Sequence, residues 1–121
     1  MFQNGPIEGV IFKPLQRYND SRGWLCELFR EDELDPQFYP AMAYISMTEP
    51  GVARGPHEHR DQADYFCFLG PSNFKLFLWD NRQGSPTFRN RQAVVVGTDN
   101  PQAVIVPVED ALPRVPPDGA D

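Results

Sequence analysis

The sequence predicts an all-β fold, and three observations favour it. Short runs rich in β-branched and aromatic side chains recur along the chain, with turn-forming residues between them. Only residues 30–38 approach helical length, and Pro36 interrupts them. The chain has 121 residues, enough for one domain that buries roughly two thirds of its unfolded surface. Strands at this spacing are typical of a sandwich or barrel rather than of βαβ units.

The predicted strands follow one another in short runs bounded by Gly, Pro, Asn or Asp. They are 9–15, 24–30, 41–47, 51–59, 64–70, 74–80, 92–97 and 102–107. In the fourth run, Gly55 and Pro56 predict a bulge or a strand entry, because proline has no N–H for a sheet and glycine tolerates unusual backbone angles. After Pro107 the sequence is acidic and proline-rich, which predicts a domain over 1–107 and a disordered or non-native tail over 108–121.

Composition and charge argue against two classes of partner. The formal net charge is −6 at pH 7 and the chain has no basic run, whereas nucleic acids and membrane surfaces bind clustered Lys and Arg. An anionic ligand would need a local arginine pocket. The N-terminus lacks a signal-peptide pattern and no apolar run approaches the roughly 20 residues of a membrane span, so we expect a soluble cytoplasmic protein. Cys26 and Cys67 lie in apolar segments and are predicted to be buried free thiols.

The only two histidines, His57 and His59, stand two apart in the stretch "GVARGPHEHR". Residues two apart on a strand point to the same side, so both imidazoles could reach one metal ion, or one could act as a base while the other lines the pocket. A bulge at Gly55 could bring Arg54 to the side of His57. Two solvent-facing strand residues are the plain alternative.

Three ordered blocks resemble the dTDP-4-dehydrorhamnose 3,5-epimerase family. They are "DSRGWLCELF" (20–29), "GVARGPH" (51–57) and "DNRQGSPTF" (80–88). The family patterns read approximately D-x-R-G-x-x-x-E-x-F, G-V-x-R-G-x-H and D-x-R-x-x-S-P-T-F. The resemblance runs from about residue 9 to Pro107 and implies a cupin-type double-stranded β-helix, or jelly roll, that lacks its last strands.

The resemblance also implies a function, an epimerase acting on a nucleotide-linked 4-keto sugar in deoxysugar and polysaccharide precursor synthesis. A base removes the acidic protons at C3 and C5 beside the ketone, and the enolate is reprotonated from the opposite face. His57 matches the catalytic base, and no cofactor or metal is implied. The substrate-binding positions implied are Arg22, Glu27, Phe29, Arg54 and His59, with the two arginines on the diphosphate. The partner is the nucleotide-diphosphate sugar, and the assembly is a homodimer.

The chain departs from the family pattern at several positions. Met42 and Tyr44 stand where the family usually has Gln and Asn for the thymidine end. The family continues into a Pro-Gly-x-x-His turn, a tyrosine acid and an aspartate partner for the histidine, whereas this chain runs into 108–121. A frameshift or truncation is our leading explanation, and it predicts that the DNA beyond the Pro107 codon encodes that turn in another frame.

Two other functions stay open. A metal-binding cupin would use His57, His59 and Asp64, because Gly51 begins the G-x5-H-x-H opening of the metal-cupin pattern. The other is a sugar-nucleotide binding module without activity, in which the arginines still bind the diphosphate. The missing tyrosine acid predicts this loss of catalysis.

Overall fold

The computed structural model describes residues 1–55 and 63–107 as an all-β protein, which confirms the predicted class. The strands, in chain order, are β1 (Gln3–Asn4), β2 (Ile11–Pro14), β3 (Arg17–Asp20), β4 (Gly23–Cys26), β5 (Asp64–Phe68), β6 (Asn73–Trp79), β7 (Asn90–Gly97) and β8 (Gln102–Val106). One 3-10 helix, Pro36–Phe38, lies between β4 and β5. It begins where Asp35 accepts a hydrogen bond from the Gln37 N–H, so the interrupted run 30–38 yields only a single turn of helix.

The strands form two three-stranded sheets and one hairpin. The first sheet has the order β1-β7-β6, with β1 parallel to β7 and β6 antiparallel to β7. The second sheet has the order β2-β8-β5, all antiparallel. The hairpin joins β3 to β4 and pairs Arg17 with Cys26 and Asp20 with Gly23.

The hydrophobic core lies between the two sheets. Leu78 of the first sheet and Val104 and Val106 of the second sheet are buried there with Ile7. Partly buried apolar side chains extend this cluster: Val10, Phe12, Phe66, Phe68 and Leu76. Because side chains alternate along a strand, the opposite face of β5 carries Tyr65 and Cys67. Two sheets packed face to face in this way are the arrangement of a jelly roll.

The second sheet is covered on its outer face as well. Ala103 and Ile105, which alternate with the core residues of β8, are also buried, at 0% and 4% exposure. The segment after the hairpin reaches this face, since the Tyr65 hydroxyl donates to the Leu28 carbonyl at 2.7 Å and Lys13 lies 3.9 Å from Glu33. This cover runs from β5, where Leu28 and Phe29 contact Tyr65, to β2, where Glu33 approaches Lys13.

A buried carboxylate closes the loop between β6 and β7. Asp80 has no exposed surface and accepts hydrogen bonds from Arg82 Nε and Nη2 at 2.8 Å and from the hydroxyls of Ser85 and Thr87 at 2.6 Å. Burial raises its pKa, but the bonds from Arg82, Ser85 and Thr87 outweigh burial and lower it to about 2. Arg82 also donates to the Glu8 carbonyl and Thr87 accepts from the Glu8 N–H. The third sequence block therefore fastens the N-terminal segment to the first sheet.

Two predicted strands differ from the structure. Residues 41–47 and the described part of the next run, 51–55, contain no strand. Their apolar side chains have strand propensity, but a strand also needs a neighbour to take its backbone hydrogen bonds, and the described parts of the chain place none beside them. Conversely, the sequence does not predict the short strands β1 and β3, because both consist mostly of polar residues and contain no apolar run.

Candidate functional site

The hairpin places Arg22 at its exposed tip. Asp20 accepts the Arg22 N–H at 2.8 Å and the guanidinium Nη2 at 2.7 Å, and these bonds, the side-chain bond first, lower the pKa of Asp20. The Arg22 side chain is 88% exposed. Gly23 follows with φ +137°, a left-handed angle that favours glycine. The D-S-R-G block thus builds an oriented arginine that can still reach an anion in solvent.

The hairpin is anchored to the sheets by a different arginine. Arg17 donates to the Leu69 carbonyl at 2.6 Å and to the Thr98 carbonyl at 2.9 Å. Its guanidinium also lies 5.1 Å from the centre of the Trp24 ring, a cation–π contact across the hairpin. Arg17 therefore links the hairpin that carries Arg22 to the ends of both sheets.

Glu27 lies in an exposed ion-pair cluster. Arg30 donates to Glu27 at 3.2 Å and to both oxygens of Asp32 at 3.0 Å. The bond from Arg30 lowers the pKa of Asp32, and the bond to Asp32 raises the pKa of Arg30. Arg30 and Asp32 also line a shallow depression together with Glu31 and Tyr39. The Glu27 carboxylate, 47% exposed, is held by a cation within its own segment.

Phe29 lies against the second sheet. Its ring meets the Tyr65 ring edge to face, with centroids 6.2 Å apart and planes at 69°. The Tyr65 hydroxyl donates to the carbonyl of Leu28, the residue before Phe29. Phe29 nevertheless stays 42% exposed, so part of its ring is open to a ligand.

Arg54 is fixed by two contacts in its own loop. Its Nε donates to the Thr48 hydroxyl and its Nη2 donates to the Met47 carbonyl at 2.6 Å. The loop turns at Gly51, with φ +79°, and the backbone takes a left-handed angle again at Gly55, with φ +92°. Gly55 belongs to no strand, and the bulge or strand entry predicted at Gly55 and Pro56 extends outside the described residues and stays a prediction.

His57, His59 and Pro56 lie outside the described residues. Asp64, the proposed third metal ligand, begins β5 and pairs with Val106. In 1–55 and 63–107, no three side chains among His, Cys, Asp and Glu are grouped as a metal would need. The metal alternative depends on both histidines and stays a prediction.

Both cysteines are free, as expected, but each is only half-buried. Burial raises the pKa of both thiols, that of Cys67 to about 11. A thiol with a raised pKa is a poor nucleophile at neutral pH. The two cysteines therefore belong to the packing around β4 and β5.

The structure brings Phe29 against β5 with Glu27 two positions before it in an exposed ion pair, and it sets Arg22 and Arg54 on two separate exposed loops. The described contacts of Arg22 are to Asp20, and those of Arg54 are to Thr48 and Met47. Sequence reasoning missed the two residues that hold the Glu27–Phe29 segment, Arg30 and Tyr65. The alternation of side chains along β5 predicts that Tyr65 faces away from the core. Its hydrogen-bond partner, Leu28, lies in a loop, and a loop has no periodic sequence pattern that would predict the contact.

Comparison with known proteins identifies the family. The family model described as dTDP-4-dehydrorhamnose 3,5-epimerase matches residues 4–111. This chain belongs to that family. All three sequence blocks fall inside the matched range, and it extends slightly beyond the domain boundary expected at Pro107.

Two curated proteins that are similar to this chain are named for glycan biosynthesis. The chain is 38% identical over 103 residues to the probable low-salt glycan biosynthesis epimerase Agl13 of Haloferax volcanii, covering 84% of this chain and 65% of that protein. It is 33% identical over 101 residues to the spore coat polysaccharide biosynthesis protein SpsL of Bacillus subtilis, covering 84% of this chain and 66% of SpsL. The chain thus spans just under two thirds of the length of both relatives.

A solved structure is also similar. The crystal structure of a dTDP sugar isomerase from Desulfovibrio desulfuricans matches over 85% of this chain and 65% of that one, with a TM-score of 0.47 and 17% identity. Separately, within the described residues no helix is long and apolar enough to cross a membrane.

Proposed function

We propose that the protein acts on a nucleotide-diphosphate-linked 4-keto sugar as a 3,5-epimerase in the synthesis of glycan precursors. The observation that carries the proposal is the family match over residues 4–111, which includes the G-V-A-R-G-P-H block. The two relatives, named for glycan and spore coat polysaccharide biosynthesis, support a role in glycan precursor synthesis. The dTDP-rhamnose type of sugar is the specific case we propose to test first.

In the proposed reaction His57 is the base. It takes the proton at C3 or C5, where the neighbouring C4 ketone accepts the electrons of the broken C–H bond as an enolate. The proton then returns to the carbon from the opposite face and inverts the centre. An imidazole suits this step because its ordinary pKa near 6.5 leaves it neutral and basic at pH 7. His59 is proposed to line the same pocket.

Arg22 and Arg54 are the proposed diphosphate ligands. Each guanidinium is oriented by a local partner, Asp20 for Arg22 and the Thr48 hydroxyl for Arg54. An oriented guanidinium loses less freedom on binding and presents paired N–H donors to phosphate oxygens. Against a net charge of −6, these two local cations supply the attraction that an anionic substrate needs.

Glu27 and Phe29 complete the proposed binding surface. Both are nearly half exposed, and Phe29 packs on Tyr65 of β5, the strand that follows the histidine stretch in the sequence. A homodimer belongs to the same proposal, and it is supported by the exposed apolar side chains of Met42, Tyr44, Ile45 and Met47, which are 70% to 99% exposed. The cytoplasmic location stays a prediction from the sequence.

The test is solvent proton exchange. The purified chain is incubated with dTDP-4-keto-6-deoxyglucose in deuterated water, and the C3 and C5 proton signals are followed by NMR. We expect both signals to decay, and we expect His57→Asn to slow the decay by about 10²- to 10⁴-fold, the contribution of a general base. Binding of the nucleotide sugar to His57→Asn, measured by calorimetry, should stay within about threefold of wild type.

Three results separate the alternatives. Unchanged exchange in His57→Asn would remove this histidine from catalysis. Tight binding without exchange in the wild-type chain would favour the non-catalytic binding module. A stoichiometric transition metal in protein purified without chelator, lost in a His57→Ala and His59→Ala double variant, would favour the metal-binding cupin.

A further inference from the structure

We infer that Tyr65 is a positioning residue for the substrate site, and that it holds the Glu27–Phe29 segment in place on β5. The inference rests on the proposed function, in which Glu27 and Phe29 contact the substrate. Tyr65 itself is half-buried on the outer face of the second sheet. It is assigned no role by the sequence blocks that define the family resemblance.

The hydroxyl of Tyr65 supplies the first contact. It donates to the Leu28 carbonyl at 2.7 Å, across 37 positions of sequence. Residues 27–30 belong to no strand or helix, so this carbonyl has no partner in a regular ladder. The bond therefore fixes the backbone midway between the two proposed substrate residues.

The ring of Tyr65 supplies the second contact. Its edge-to-face arrangement with Phe29 at 6.2 Å defines the orientation of the Phe29 ring, and such pairs contribute beyond the area they bury. One side chain thus controls both the backbone at Leu28 and the ring of Phe29. The other described contacts of this segment are a long hydrogen bond from the Cys26 thiol to the Glu27 carbonyl, at 3.6 Å, and exposed ion pairs of Arg30 with Glu27 and Asp32. Exposed ion pairs hold position weakly in water.

Tyr65 ties this segment to a strand of the second sheet. It stands on β5, which begins at Asp64, seven positions after the proposed base His57 in the sequence. Since β5 pairs with β8 from Asp64 to Phe68, the tether sets the Glu27–Phe29 segment relative to the second sheet. Loss of the tether should therefore weaken substrate binding more than it slows proton transfer.

The test uses Tyr65→Phe, which removes the hydroxyl and keeps the ring, and Tyr65→Leu, which removes both. The matched control is Tyr18→Phe on β3, where the tyrosine is 54% exposed. Limited trypsin digestion of the full chain measures the strength of the tether in the absence of substrate, because cleavage after Arg30 requires the segment to open locally. Cleavage after Arg22, on the hairpin, is the reference in the same digest. The deuterium-exchange assay reports KM and kcat.

For Tyr65→Phe we expect cleavage after Arg30 to quicken about two- to tenfold, the factor of one hydrogen bond, with cleavage after Arg22 unchanged. KM should rise by a similar factor while kcat stays within about twofold. Tyr65→Leu should increase both the cleavage rate after Arg30 and KM by more than Tyr65→Phe does. Tyr18→Phe should change neither quantity.

Two outcomes would overturn the inference. Unchanged cleavage after Arg30 in both Tyr65 variants would show that Tyr65 holds nothing in place. Faster cleavage with an unchanged KM would reduce Tyr65 to a structural contact. Failure of the proposed function looks different, because the wild-type chain itself would then neither bind nor exchange the sugar, while the digest would still decide whether the tether exists.

Discussion

The two-sheet core and the segment 17–55 are held together by different kinds of contact. The core joins residues far apart in sequence, such as Ile7, Leu78 and Val104, in one buried cluster. Segment 17–55 has Leu34 as its one buried residue. Many of its polar contacts join residues two to seven apart, as between Arg22 and Asp20.

This difference in contacts indicates that the core provides the stability of the fold, whereas segment 17–55 provides the proposed binding residues. Buried contacts give the fold its free energy, because they remove apolar surface from water and pair the polar groups that are buried with it. Exposed contacts at short distance contribute little stability, but they orient side chains that remain open to a ligand. All four described residues of the proposed binding surface lie in segment 17–55: Arg22, Glu27, Phe29 and Arg54.

The largest expected effect comes from the buried carboxylate. Asp80→Ala leaves the Arg82 guanidinium, 9% exposed, without its counter-ion. We expect the free energy of unfolding to fall by about 3–5 kcal/mol, as when one partner of a buried pair is removed. Urea denaturation measures it. The matched control Asp32→Ala breaks an exposed pair with Arg30 and should lower the free energy of unfolding by less than about 1 kcal/mol. Equal losses in the two variants would contradict the difference between buried and exposed ion pairs.

A pair of leucines makes the same comparison for apolar contacts. Leu78→Ala in the core, where the side chain is 7% exposed, should lower the free energy of unfolding by about 2–5 kcal/mol through lost burial and a cavity. Leu25→Ala on the hairpin, 61% exposed, should change it by about 0.5 kcal/mol or less. A large loss from Leu25→Ala would mean that the hairpin is buried against a further surface in solution.

The pH dependence of stability sharpens the comparison. The pKa of Asp80 is about 2 in the folded chain and 3.8 as a reference, so the unfolded chain binds more protons between these values. The stabilisation, about 2 kcal/mol, is present above pH 4 and is lost as the pH falls toward 2. Denaturation of wild type and Asp80→Asn at several pH values measures it. The variant should lose less stability over this range, and parallel curves would contradict the assignment.

The smallest expected effect tests orientation at Arg54. Thr48→Val removes the hydroxyl that accepts from Arg54 Nε while it keeps the side-chain shape. We expect affinity for the nucleotide sugar to fall about two- to fivefold by calorimetry, and the free energy of unfolding to change by about 0.5 kcal/mol or less. Arg54→Ala should cost more affinity than Thr48→Val. A larger loss from Thr48→Val would place the hydroxyl itself on the ligand.

Much of the core could be predicted from the sequence because its signal is local. The runs 64–70, 74–80, 92–97 and 102–107 carry enough β-branched and aromatic residues to be recognised singly, and each contains a strand within one or two residues of the prediction. The apolar run 41–47, with Tyr44 and Ile45, is also predicted as a strand and forms none, because strand formation also depends on a neighbour that composition does not supply.

The sequence by itself determined the all-β class and the core strands, since each depends on residue type and short spacing. Tertiary structure alone decided that the D-x-R-x-x-S-P-T-F block surrounds a buried carboxylate, and that Tyr65 reaches the carbonyl of Leu28. The bonds to Asp80 are local, two to seven positions apart, but the burial of the block against Glu8 and the bond from Tyr65 to Leu28 join segments distant in sequence. Such partners are chosen by packing and by the need to satisfy buried polar groups. No periodicity along the chain encodes that choice.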